Sequence, residues 1–138
     1  MGLKVDQLQV SFKTGDTNFN AVKEVSFELE PGKVIGIVGE SGSGKSVTSL
    51  ALMRLLDEER AKISGNIYLD DKELLKLPEA VMQTYRGNHI GMIFQEPMTS
   101  LNPVFTCGHQ VAEAIQLHLK ANKKEARTKT IDLFKEVH

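Results

Sequence analysis

The segment that most constrains this chain is residues 39–46, Gly-Glu-Ser-Gly-Ser-Gly-Lys-Ser. It has the spacing G-x-x-x-x-G-K-S of a loop whose backbone N–H groups surround a phosphate. An apolar run at 34–38 precedes the loop and predicts a strand that is buried on both faces. The Leu-, Ala- and Met-rich segment 47–56 follows it and predicts a buried helix. The strand, the glycine loop and the helix therefore come in the order that phosphate binding requires.

Each residue type in the loop has a chemical reason. Gly39, Gly42 and Gly44 allow backbone conformations that place successive N–H groups around one anion. The helix that follows adds its own free N–H groups and the positive end of its dipole. The ammonium group of Lys45 suits β- and γ-phosphates, and the hydroxyl of Ser46 suits Mg²⁺. We therefore predict a nucleoside triphosphate site at this loop.

The same residues come close to two other motifs. A nucleophile elbow, G-x-S-x-G, requires glycine where Ser43 stands. A dinucleotide fingerprint, G-x-G-x-x-G/A, requires a small residue where Val47 stands. We therefore interpret Ser41 as a loop residue and not as a nucleophile. A glycine-rich turn that binds no ligand remains the plain alternative, although both flanking segments favour phosphate binding.

Composition bounds the other function classes. The 138 residues carry a net charge of −1 and are 41% hydrophobic, which is typical of one soluble globular domain. This near-neutral charge gives no support for nucleic-acid binding. No apolar run approaches the roughly 18 residues of a membrane span, and no signal-peptide core follows Met1, so we expect a cytosolic location. The single Cys107 excludes an internal disulfide and predicts a packed or idle thiol, and the histidines show no metal-ligand spacing.

The segments on either side of the loop predict strands and turns. Residues 3–13 and 19–30 alternate as two antiparallel strands joined by a turn at 14–18, with a bulge near residues 6–7. Residues 63–72 predict a strand that closes in a turn. The alternative is a Walker B strand with a terminal Asp for Mg²⁺, but its apolar run is short and ends in Asp-Asp-Lys. Residues 90–94 predict a second buried strand, which ends at 95–97 before a loop at 98–103.

The remaining segments predict helices. A short helix is expected from Pro78 to Tyr85, and Thr106 is suited to cap a second one. Asn122 with Glu125 three residues later predicts a capping box for a last helix. The pattern changes from strand-like to helix-like near residue 105, which predicts subdomains at 1–104 and 105–138.

These pieces together resemble the ATP-binding subunits of ABC transporters, and most closely their oligopeptide/dipeptide importer branch. The resemblance is carried by the loop, by the hairpins on either side of it, and by residues 44–51 and 92–103, which are similar to that branch nearly letter for letter. It implies an α/β fold, a P-loop NTPase of the ABC type. The domain is expected to be incomplete, with an antiparallel β-subdomain and the start of a helical subdomain.

The resemblance also implies residue roles. Gln95 would contact the Mg²⁺ and water region and couple the site to membrane subunits, and Lys45 and Gln95 would be the catalytic residues. Phe12 would stack on adenine; a core phenylalanine of the hairpin is the alternative, and Phe19 is a weaker candidate for the same platform. Ser46 and Gln95 would hold Mg²⁺. The residues expected to bind ATP are Phe12, Gly39, Glu40, Ser41, Gly42, Ser43, Gly44, Lys45, Ser46 and Val47.

The family's signature motif, Walker B carboxylates and switch histidine are absent and are expected C-terminal to residue 138. We therefore expect the N-terminal portion of a subunit that binds and hydrolyses ATP to drive import of peptides or similar small solutes. The implied partners are permease subunits and a second ATP-binding subunit, at the cytoplasmic face of the cell membrane. For the chain alone we expect weak nucleotide binding and negligible hydrolysis. A docking module without turnover and a small-molecule P-loop kinase are the rival hypotheses.

Overall fold

A computed structural model describes residues 2–15, 17–95 and 100–137. The chain forms two compact units, which divide between Gln83 and Thr84. The predicted turn at 14–18 includes Asp16, and the predicted strand end and loop at 95–103 include residues 96–99. Those five positions lie outside the described residues.

A four-stranded antiparallel sheet dominates the first unit. Its strands are β1 (Leu3–Thr14), β2 (Thr17–Leu29), β3 (Ala61–Leu69) and β4 (Lys72–Glu73), in the spatial order β2-β1-β3-β4. Alternation along a strand sends every second side chain to the same face, and Val5, Leu8 and Val10 of β1 are buried with Ile67 of β3. The predicted hairpin before the loop is confirmed, and the third predicted strand is present.

The bulge expected near residues 6–7 is also present. Pairing of β1 with both neighbouring strands shifts between Val5 and Gln9, and Gln7 has a left-handed backbone with φ 47°. Gly65 of β3 lies against this bulge with φ 93°, and a Cβ there would stand 2.7 Å from the Asp6 carbonyl oxygen. Only glycine combines this φ with such a close approach of two backbones.

The hairpin corner expected at residues 70–71 is confirmed, which removes the Walker B interpretation of this segment. Asp70 has φ 50° between β3 and β4. Its carboxylate accepts a hydrogen bond from the Gly2 N–H at 2.7 Å, and its own N–H donates to the Gly2 carbonyl at 2.8 Å. This Asp side chain therefore fastens the start of β1.

Helices complete both units. The first unit contains α1 (Lys45–Leu52) and a 3₁₀ turn at Leu74–Lys76, and α2 (Glu79–Tyr85) runs across the division between the units. The helix predicted at 47–56 thus begins two residues earlier and ends four residues sooner. No helix in the described ranges has both the length and the apolar character needed to cross a membrane.

The second unit contains α3 (Cys107–Leu119) and α4 (Lys123–Glu136). The Thr106 side chain accepts a hydrogen bond from the His109 N–H, and both halves of the Asn122–Glu125 capping box form. Both predicted caps are therefore confirmed. Cys107 is exposed at the first position of α3, so it is not a packed thiol.

Two predictions of buried strands are wrong. Residues 33–40 and 91–94 have no regular secondary structure, and Ile90 makes a single bridge with Arg86. Val34, Val38 and Ile93 are 97%, 92% and 97% exposed. An apolar run becomes a buried strand only when neighbouring strands accept its backbone hydrogen bonds and cover its side chains. Within the described residues, nothing pairs with these two segments as a strand.

Candidate phosphate-binding site

The glycine loop makes a tight turn and then enters α1 directly. The Ser43 N–H donates to the Glu40 carbonyl at 3.2 Å, and Gly42 and Gly44 have φ values of 81° and 92°. A Cβ at Gly44 would stand 2.5 Å from the carbonyl oxygen of Ala21 on β2. Gly44 therefore supplies both a left-handed backbone and the space for the loop to lie against the sheet.

The N-terminus of α1 leaves backbone donors without acceptors in the helix. Gly44 is the N-cap residue and provides no side-chain cap. The first bond of the helix runs from the Thr48 N–H to the Gly44 carbonyl at 2.8 Å. The N–H groups of Lys45, Ser46 and Val47 precede that bond and lack intrahelical partners. Together with the helix dipole, they form the kind of end that binds anions.

The side chain of Lys45 folds back over the loop. Its Nζ donates to the Gly39 and Glu40 carbonyls, each at 2.7 Å, and lies 3.4 Å from the Ser43 Oγ. These bonds hold a full positive charge beside the free N–H groups of α1. The donor set is therefore an ammonium group together with several amides, which is chemically suited to a polyphosphate.

The strands place two aromatic rings next to this loop. Phe12 of β1 and Phe19 of β2 are cross-strand partners, and Phe19 is 61% exposed. A cavity of about 220 Å³ brings these rings together with the loop and the start of α1. It is lined by Phe12, Phe19, Ala21, Gly42, Ser43, Gly44, Lys45, Ser46 and Val47. Ten residues were predicted to bind ATP, and seven of them line this cavity.

The three remaining predicted residues, Gly39, Glu40 and Ser41, do not line this cavity. Gly39 and Glu40 meet the site through their carbonyls, which accept from Lys45. Ser41 is exposed in the loop between them and Gly42. Sequence reasoning missed Ala21, because its place beside Gly44 depends on the course of β2 and on no side-chain property.

Mg²⁺ was expected at Ser46 and Gln95. The Ser46 hydroxyl lies on the first turn of α1 and lines the same cavity as Lys45, so one hard oxygen ligand fits the metal. Gln95 is exposed, follows the irregular segment 91–94 and belongs to the second unit. Its role therefore stays a prediction. Across the described ranges, no group of three or more His, Cys, Asp or Glu is arranged to hold a metal ion.

A comparison with protein-family models decides the family. The model described as ABC transporter matches residues 22–137, which is most of the chain. The chain belongs to the ABC transporter family. The match includes the loop, α1, β3 and both helices of the second unit.

Curated relatives lie in the peptide-transporting part of this family. The peptidoglycan transport ATP-binding protein YejF of Agrobacterium fabrum is 48% identical over 136 residues, which cover 98% of this chain and 25% of YejF. The dipeptide transport ATP-binding protein DppD of Escherichia coli is 43% identical over 135 residues, covering 98% of this chain and 41% of DppD. The resemblance to the peptide-importer branch is confirmed. The chain spans well under half the length of these relatives.

Solved structures establish the fold of the ABC family member. The dimeric structure of MJ0796, a bacterial ABC transporter cassette, matches with a TM-score of 0.82 at 24% identity, over 96% of this chain and 56% of that one. A post-hydrolysis state of MJ0796 bound to ADP and Pi gives the same values. The predicted fold, an incomplete ABC-type P-loop domain, is confirmed.

Proposed function

We propose that this chain supplies the phosphate-binding part of an ATP-binding subunit that powers peptide import by an ABC transporter. The observation that carries the proposal is one cavity that combines the Lys45 ammonium, the free N–H groups of α1 and the ring of Phe12. A positive donor cluster beside an aromatic face matches a nucleotide, which has an anionic tail and a flat base. The names of the curated relatives support peptides or related small solutes as the transported class.

Different residues of the site bind different parts of the nucleotide. The backbone of residues 39–47 and the Lys45 ammonium bind the phosphates, and Phe12 stacks on adenine. Ser46 and Gln95 hold Mg²⁺, which neutralises charge on the phosphate oxygens when it is bound. The full proposed set is Phe12, Gly39, Glu40, Ser41, Gly42, Ser43, Gly44, Lys45, Ser46, Val47 and Gln95.

The first unit binds the nucleotide and leaves activation of water to other groups. The described residues that line the 220 Å³ cavity carry neither a carboxylate nor an imidazole. A general base must lie within hydrogen-bond reach of the proton that it removes. Lys45 and the loop amides stabilise charge on the transferred phosphate, and Gln95 contacts the Mg²⁺ and water region and links the site to the membrane subunits.

The same proposal assigns the subunit its partners, its location and its subdomains. Its partners are permease subunits and a second ATP-binding subunit, and it works at the cytoplasmic face of the membrane. Residues 1–104 belong to the β-subdomain and nucleotide core, and residues 105–138 begin the helical subdomain. The relatives' names favour this assignment over a small-molecule kinase and over a docking module without turnover.

Isothermal titration with Mg-ATP tests nucleotide binding. We expect saturable binding at one site and at least a tenfold weaker affinity for Lys45→Ala, because the variant removes the charged donor from the loop. Lys33→Ala is the matched control, because Lys33 is an exposed lysine ahead of the loop and does not line the cavity. Absence of binding, or equal affinities for Lys45→Ala and Lys33→Ala, would contradict the proposal.

A further inference from the structure

We propose that Arg54 is a positioning residue that transmits nucleotide binding from α1 to residues 72–85. The inference rests on the proposed nucleotide binding at the N-terminus of α1. Arg54 lies at the opposite end of that eight-residue helix. The segment that it contacts continues into α2, which leads into the second unit.

The backbone at Arg54 has a conformation that ordinarily belongs to glycine. The Arg54 N–H donates to the Ala51 carbonyl at 3.0 Å, and the Leu55 N–H donates to the Leu50 carbonyl at 2.9 Å. This pair of bonds is the Schellman ending of a helix, in which the residue after the C-cap takes a left-handed φ. Arg54 occupies that position with φ 50°. A residue with a Cβ is disfavoured at such a φ compared with glycine.

The side chain of Arg54 makes contacts with a distant segment. Its side chain is 14% exposed, and Nη1 donates to the Leu77 carbonyl at 2.5 Å and to the Leu74 carbonyl at 3.4 Å. Nη2 lies 3.5 Å from a Glu58 carboxylate oxygen and 3.9 Å from a Glu79 one. One planar group therefore ties the end of α1 to the 3₁₀ turn and to the first residue of α2.

α1 is therefore joined at its N-terminus to the glycine loop and at its C-terminus, through Arg54, to the 3₁₀ turn and α2. Its N-terminus carries the free N–H groups and Lys45, and an eight-residue helix moves as one rigid element of about 12 Å. When the loop and the helix end close on a phosphate, a shift of α1 is carried to the carbonyls that Arg54 bonds. Charge-assisted bonds from a side chain that is mostly shielded from water resist breaking. The 3₁₀ turn and α2 are therefore expected to become more protected when nucleotide binds.

Hydrogen–deuterium exchange of the full chain, with and without Mg-ATP, tests this coupling. In the wild type we expect Mg-ATP to slow exchange both in residues 39–52 and in residues 72–85. Arg54→Gly keeps the left-handed helix ending and removes the whole side chain, including the guanidinium. It should retain the slowing at 39–52 and lose at least half of the slowing at 72–85. Arg54→Lys, which keeps the charge but not the planar fork, should recover part of it.

Arg60→Gly is the matched control, because Arg60 is an exposed arginine whose ion pair is with nearby Asp57. It should leave both effects of Mg-ATP unchanged. A role of Arg54 in stability alone would raise exchange at 72–85 equally with and without nucleotide, and that outcome would overturn the proposal. So would a wild type in which Mg-ATP protects residues 39–52 but not 72–85. No effect on either segment would instead refute the proposed nucleotide binding, and the coupling with it.

Discussion

At the residue scale, we expect Lys45 to determine how the proposed site responds to an anion. Its ammonium bonds the Gly39 and Glu40 carbonyls at 2.7 Å and so closes the loop on itself. A phosphate oxygen carries more negative charge than a carbonyl oxygen and forms the stronger bond with an ammonium group. In the proposed binding, bonds within the loop are exchanged for bonds to the ligand, and the free N–H groups of α1 gain acceptors.

Phe12→Ala tests the contribution of the aromatic face. Stacking of a base on an aromatic side chain is worth about 1–3 kcal/mol, so the Kd for Mg-ATP should rise about 5- to 150-fold. Inorganic tripolyphosphate lacks a base, and its affinity for the loop should stay the same. Titration calorimetry measures both ligands. Equal losses for the two ligands would show that Phe12 only packs in the hairpin, the alternative that its position in β1 leaves open.

Single residues of this site differ in how far sequence predicts them. The spacing predicts the left-handed backbone of Gly42 and Gly44, because that conformation depends on local sequence; the binding role of Lys45 stays a prediction. The proximity of Phe12 to the loop followed from the family resemblance and not from periodicity. The approach of the Ala21 carbonyl to Gly44 was not predictable, because it depends on the course of a strand more than 20 positions away in the chain.

At the element scale, the pairing of β1 with β3 at the bulge depends on one glycine. The bulge at residues 6–7 pushes its carbonyls toward β3, where Gly65 makes room for them. β1 carries Phe12 and pairs with β2 beside the loop. The pairing of β1 with its neighbours therefore positions Phe12 at the edge of the cavity.

Gly65→Ala should lower the free energy of unfolding by about 2 kcal/mol, because a methyl group meets two backbone carbonyls at a left-handed φ. Gly36→Ala is the control, since a Cβ there meets nothing within 4 Å, and it should change stability by less than about 0.5 kcal/mol. Urea denaturation of both variants gives the comparison. Equal midpoints would contradict this role of the bulge.

Elements that depend on residues close in sequence, such as helix caps, were predictable from the sequence. Strands that depend on pairing with distant segments were not. The Asn122–Glu125 capping box and the Thr106 cap each join residues three positions apart in the chain, and both are present in the structure. The runs at 34–38 and 90–94 have the apolar character of buried strands but need partner strands, and the described residues provide none. Hydrophobic pattern shows that a segment requires burial, whereas pairing depends on what lies beside it.

At the scale of the whole molecule, two apolar segments are exposed, and the chain is shorter than the relatives that it matches. Val34, Val38 and Ile93 are almost fully exposed, and the chain covers 25% of YejF and 41% of DppD. Side chains of this kind usually face another element or another chain. In the described residues, these apolar side chains are therefore left without a covering element.

Hydrolysis by a protein of just these 138 residues should be negligible, because the cavity beside Lys45 has no described general base. Phosphate release from Mg-ATP should match that of the Lys45→Ala variant within error. Turnover well above that variant would show that residues of this chain can activate water, and would contradict the assignment of that step to other groups.

The most direct test of the account is a crystal structure with Mg²⁺ and a non-hydrolysable ATP analogue. We predict phosphate oxygens on the N–H groups of residues 42–47, with the Lys45 ammonium moved from the Gly39 and Glu40 carbonyls onto the phosphates. A nucleotide bound elsewhere, with Lys45 still bonded to those two carbonyls, would contradict it.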